Sequence, residues 1–95
     1  MNKYIAIFTK SDKAIENSLM VLHVEHLAKM YEESNLLLCG PFKNSNKVIQ
    51  IILANSKEEA ETLLKRDPFY KESIFKDYTL NELIEANEEN NYLLK

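Results

Sequence analysis

Two short segments, Tyr4-Ile5-Ala6-Ile7-Phe8 and the run from Val48 to Ala54, are apolar at nearly every position. A strand with one solvated face alternates polar and apolar residues. An unbroken apolar run rich in β-branched residues predicts a strand with both faces covered. A chain of 95 residues has room for one domain and few elements to do the covering. What lies between these strands therefore decides the fold.

The first interval is helical. From Lys13 to Glu33, Ile15, Leu19, Leu22, His26 and Met30 recur at spacings of four, three, four and four. At 100° per residue they form a stripe about 80° wide. His26 sits in its middle, and His23 lies about 60° to one side, toward Leu27. Asp12 is placed to cap this helix. Ser34-Asn35 breaks it, with Asn35 suited to left-handed geometry. Leu36 to Cys39 then predicts a second strand, stopped by Gly40-Pro41. Asn44-Ser45-Asn46 forms a turn into the Val48–Ala54 strand.

Ser56-Lys57-Glu58-Glu59 has the spacing of a capping box and opens a helix over 57–65, with Ala60, Leu63 and Leu64 on one side. Asp67-Pro68 ends it, because a proline disfavours helical geometry in the residue before it. Ser73 to Leu80 predicts a fourth strand. The order β-α-β-β-α-β is the ferredoxin-like plan, an α+β antiparallel sheet with two helices on one face. The domain is expected over residues 1–80. Residues 81–95 are expected to be an acidic, Asn-rich C-terminal extension, either a short helix over 82–86 followed by a docked apolar end at Tyr92, Leu93 and Leu94, or a flexible tail. Two helices cover one sheet face only, so a second copy of the chain is the economical cover for the other, and a homodimer is expected.

Composition narrows the function classes. Net charge is −3, and Arg66 is the only arginine among twelve basic residues spread along the chain. A nucleic-acid partner calls for a basic face, so none is expected. No apolar run approaches the length of a membrane span, and no membrane partner is expected. The start at Met1-Asn2-Lys3-Tyr4 has no signal-peptide pattern, and the single Cys39 cannot build a disulfide framework. The expected location is the cytoplasm.

Few residues can carry chemistry. An imidazole on an apolar helix face, His26, is either a core group bonded to a neighbour or an acid–base group in a dry pocket. Asp67 is either the N-cap of a short turn through Tyr70, with Pro68 at its first position, or a carboxylate that orients a histidine. Gly40 is either a turn residue or the point where a ligand approaches the backbone. Cys39 is either a small buried apolar residue or, with a base beside it, a nucleophile. His23 and His26 are three apart, but Glu25 points about 100° away from His26 and no second ligand cluster follows. No metal is expected.

Taken together, His23-Val24-Glu25-His26-Leu27, the Leu36–Cys39 strand running into Gly40-Pro41, the strand leading into Ser56-Lys57-Glu58-Glu59-Ala60, and Asp67-Pro68-Phe69 resemble the YciI-like (YCII-related) family. The resemblance covers about residues 3–80. It implies a ferredoxin-like fold of the dimeric α+β barrel type. It also implies a site built from the helix histidine and the Asp-Pro-Phe aspartate, which map onto His26 and Asp67. The resemblance further implies that a few related proteins act on small aromatic or lactone compounds. The expected function is a small enzyme of lyase or isomerase type, with no cofactor. It would use the His/Asp pair for proton abstraction or elimination on a small organic molecule. His23, Gly40, Pro41 and Phe69 would line the binding pocket. The alternative is a non-catalytic binding or structural dimer module. Related sequences often carry Arg three residues before the histidine, where this chain has His23. That change removes a bidentate anion clamp.

Overall fold

A computed structural model describes residues 1–94. The chain runs β1 (Asn2–Lys10), α1 (Asn17–Glu32), β2 (Leu36–Pro41), β3 (Lys47–Ala54), α2 (Lys57–Lys65), α3 (Pro68–Lys71), β4 (Phe75–Leu83) and a 3₁₀ segment, Glu88–Leu93. The four strands form one antiparallel sheet in the order β2-β3-β1-β4. This is the α+β, ferredoxin-like plan expected from the sequence.

Register shows how the apolar strands divide their residues. Tyr4, Ala6 and Phe8 pair with Ile52, Gln50 and Val48. All but the half-buried Val48 are buried, and they point toward the helices with Ala54. Ala60, Leu63 and Leu64 of α2, Met30 of α1, Phe69 of α3 and Phe75 and Leu80 of β4 complete this core. Phe8 stacks on Phe75 with ring centres 4.3 Å apart. The opposite face carries Ile5, Ile7, Ile49, Ile51 and Leu53, all half-buried and covered by no element among the described residues. Both faces of β1 and β3 are therefore apolar, as read from the sequence, and one is bare.

Several local details differ from expectation. Helix α1 begins at Asn17 rather than Lys13, with Glu16 as an uncapped N-cap; Asp12 caps nothing. The preceding loop is held instead by Lys13 Nζ, which donates to the Glu72 carbonyl at 2.8 Å, and by the Ser11 hydroxyl, which donates to the Ser73 carbonyl at 3.0 Å. The left-handed residue after α1 is Ser34, not Asn35. Asn35 is used otherwise, its amide donating to the Leu53 carbonyl at 2.8 Å. Ser56 caps α2 by accepting the Glu59 N–H, but the Glu59 carboxylate reaches back to the Asn55 N–H.

The largest difference lies at the C-terminal end. β4 continues to Leu83, where Glu82 and Leu83 pair with Tyr4 and Lys3. No helix forms over 82–86, because the free edge of β1 offers those residues a ladder that a short isolated helix cannot match. Tyr92, Leu93 and Leu94 are 60%, 49% and 71% exposed, so they are not docked on this chain. Among the described residues, no helix is long and apolar enough to cross a membrane.

Candidate functional site

The site begins with Asp67. It caps α3 as its sequence context predicts, Oδ1 accepting the Phe69 N–H at 2.9 Å, with Pro68 at the first helical position. The side chain is fully buried. A buried carboxylate must be surrounded by donors, and one backbone N–H is not enough. Two side chains supply the rest. His23 Nδ1 lies 2.7 Å from Oδ1, and Gln50 Nε2 donates to Oδ2 at 3.3 Å. An ionised carboxylate only accepts, so Nδ1 of His23 carries the hydrogen, and whenever the ring is neutral Nε2 is its lone-pair nitrogen.

The histidine that meets Asp67 is thus His23, not His26 as the helical stripe implies. The reason is a rotation of α1. Leu22, placed on the stripe by its spacing, is 53% exposed. Leu27, on the His23 side, packs against the core beside Leu19 and Ile15. Turning the helix toward Leu27 brings His23 over α3. There its ring stacks on Phe69, with centres 3.7 Å apart and planes 2° from parallel. Phe75 meets the same imidazole edge-on at 6.0 Å. Three contacts fix the ring: a carboxylate at one nitrogen, an aromatic on one face and another at the edge.

His26 has a different environment. Its Nε2 is buried and has no hydrogen-bond partner among the described residues. Burial pushes its pKa below the ordinary 6.5 and outweighs the upward pull of Asp67, with the charges of His23, Arg66 and Lys71 adding to the lowering. A raised value would need the carboxylate to prevail over burial, and it does not.

An open cavity of about 410 Å³ lies between α1 and the β2 side of the sheet. It is within the usual size of small-molecule sites. His23 and Gln50 line it, together with Gly40 and Pro41 from β2 and Phe69 and Phe75 from the α3 side. All four residues expected at a pocket, His23, Gly40, Pro41 and Phe69, border this one space. A Cβ added at Gly40 would meet nothing within 4 Å, so the fold itself does not require glycine there. Cys39 also borders the cavity, opposite Gln50 in the ladder. Burial, then the Asp67 charge, raises its thiol pKa. The thiol therefore stays protonated near neutral pH, which is the wrong direction for a nucleophile.

Gln50 is the residue that sequence reasoning missed. The signal was present. It is the one polar side chain inside Val48–Ala54, and it shares the inward parity of Ile52 and Ala54. A lone amide on the buried side of a strand needs partners, and Asp67 is one of them.

A comparison with curated proteins finds no match. Among solved structures, the chain is similar to 5-chloro-2-hydroxyhydroquinone dehydrochlorinase (TftG) from Burkholderia phenoliruptrix AC1100, in complex with 2,5-dihydroxybenzoquinone. The TM-score is 0.65 at 17% identity, over 92% of this chain and 97% of that one. At this identity the likeness establishes the shared fold. The family model described as YCII-related domain matches residues 3–84, which include all of the sheet but Asn2 and every residue that borders the cavity, and the chain belongs to that family.

Proposed function

We propose that this protein is a small-molecule acid–base enzyme in which His23 moves the proton and Asp67 holds His23. The observation that carries this is the 2.7 Å contact between Nδ1 of a cavity-lining imidazole and a fully buried carboxylate. Such a carboxylate fixes the tautomer and stabilises the imidazolium formed when Nε2 takes a proton. In an elimination, Nε2 removes a substrate proton and the leaving group departs as an anion with the electron pair of its own bond. In an isomerisation, the same nitrogen returns the proton at a different atom. Neither step needs a nucleophile, in keeping with the protonated Cys39.

Family membership and a structural neighbour named as a dehydrochlorinase, bound to a small quinone, support a small ring as substrate. The cavity agrees, with aromatic side chains at Phe69 and Phe75 and aliphatic ones at Ile15, Leu27 and Val48. Turnover of a panel of small hydroxylated and halogenated rings tests the reading. His23→Ala should lower the rate by about 10²–10⁴-fold, the usual contribution of a positioned general base. His26→Ala should leave it within a few-fold. The reverse order would overturn the assignment.

Two copies of the chain are proposed to pair through the bare sheet face, where Ile5 neighbours Ile51 and Ile7 neighbours Ile49. An apolar surface of this extent on a small domain calls for cover. Light scattering at tens of micromolar should give twice the chain mass, and Ile51→Lys should halve it. A monomeric mass for the unaltered protein would contradict the pairing.

A further inference from the structure

Gln50 is 1% exposed and borders the cavity, yet only half of its amide is used. Its Nε2 donates to Asp67 Oδ2 at 3.3 Å, while its Oε1 is buried with no partner. The carboxylate sets this orientation. Turning the amide over would place two oxygens against each other, so Asp67 holds the amide with its carbonyl directed away from itself. A buried acceptor without a donor is costly and rare in folded proteins. The row across the sheet at this position offers no remedy. It reads Leu80, Ala6, Gln50, Cys39, and only the thiol has any capacity to donate, weakly. Gln50 itself borders the cavity.

We propose that Gln50 Oε1 is the specificity determinant of this site, selecting a small ring that carries a hydrogen-bond donor such as a hydroxyl. The proposal rests on the reading of the cavity as a substrate site and names which rings it favours. Apart from Lys10 and Cys39 the cavity wall is apolar, with Phe69, Phe75, Leu27 and Val48, so few groups besides this carbonyl and His23 have chemistry to offer a ligand. Asp67 then serves both ends of the site. One oxygen sets the tautomer of His23, and the other sets the amide of Gln50. An apolar pocket alone discriminates poorly between similar rings, whereas an unpaired buried acceptor discriminates by whether it is satisfied.

Phenol and anisole separate these cases. Both are small rings with one oxygen, and only phenol donates. Without the acceptor, an apolar cavity prefers anisole, which brings an extra methyl group. With it, phenol should bind about tenfold more tightly, as expected for one buried hydrogen bond gained. Titrations of the dimer or monomer as isolated, followed by amide shifts of residues around the cavity, measure both. Gln50→Met keeps the side-chain length and should reverse the order to favour anisole, with His23 still bonded to Asp67. Equal binding, or an anisole preference in the unaltered protein, would overturn the role of Gln50 while leaving the cavity as a binding site. Absence of shifts with either ring would overturn both the role of Gln50 and the reading of the cavity. The comparison within the unaltered protein stands even if Gln50→Met fails to fold.

Discussion

His23 and His26 sit one turn apart on the same helix, and the structure treats them oppositely. His23 is half-buried, bonded at Nδ1 to Asp67, stacked on Phe69 and open to a cavity. His26 is half-buried as well, but its Nε2 has no partner and burial disfavours its charge. Burial alone therefore does not make a working histidine. What differs is an anchored carboxylate on one side and free space on the other. Asp67 can be that anchor because α3 begins there, so its backbone is already held by the turn it caps.

The comparison can be broken most severely at Asp67. Replacing it with Ala leaves the His23 Nδ1–H, the Gln50 amide and the Phe69 N–H without their acceptor. Urea denaturation should show a loss of about 3–5 kcal/mol, since each buried orphan costs about 1–3. Asp67→Asn keeps an acceptor oxygen and should cost less. Equal and small losses for both would mean that the carboxylate organises nothing.

A smaller effect separates the histidines themselves. His23→Gln removes a charge-assisted bond and an aromatic stack and should cost about 2 kcal/mol. His26→Leu removes an unpartnered buried nitrogen and should fall within about 0.5 kcal/mol of the parent, on either side. Similar losses at both positions would erase the distinction drawn above.

These variants also mark where the sequence was legible. The strand order, α2 with its Ser56 cap and the Asp67-Pro68 turn follow from periodicity and capping chemistry, which are local. The partner of Asp67 is not local. It depends on how far α1 turns about its axis. That angle is set by whether Leu22 or Leu27 packs inward, and both have the spacing to do so. About 60° of rotation separates one histidine from the other, less than the width of the apolar stripe. The end of β4 is hard to read for a related reason. Asn81, Glu82 and Leu83 are poor strand formers by composition, and they join the sheet because β1 extends to meet them. The apolar Tyr92-Leu93-Leu94 ending suggests docking, but among the described residues all three stay exposed.

The mildest prediction concerns pH. The folded protein holds the His26 pKa below its ordinary 6.5, so the unfolded chain takes the proton first as pH falls. The stability this group contributes is complete above about pH 6.5 and is lost progressively as pH drops through the lowered folded value. Thermal unfolding at pH 7 and pH 5 should show this decline, and His26→Leu should flatten it. A decline unchanged by the substitution would assign it to other groups.

The account stands on which histidine Asp67 holds, and the ring nitrogens report that directly. Long-range ¹⁵N–¹H spectra at alkaline pH distinguish a hydrogen on Nδ1 from one on Nε2 in a neutral ring. His23 should show the Nδ1–H form in the parent protein and lose that preference in Asp67→Asn, while the His26 signals keep their pattern. An Nε2–H form for His23 in the parent, or a change confined to His26 in the variant, would contradict the pairing on which the proposed chemistry depends.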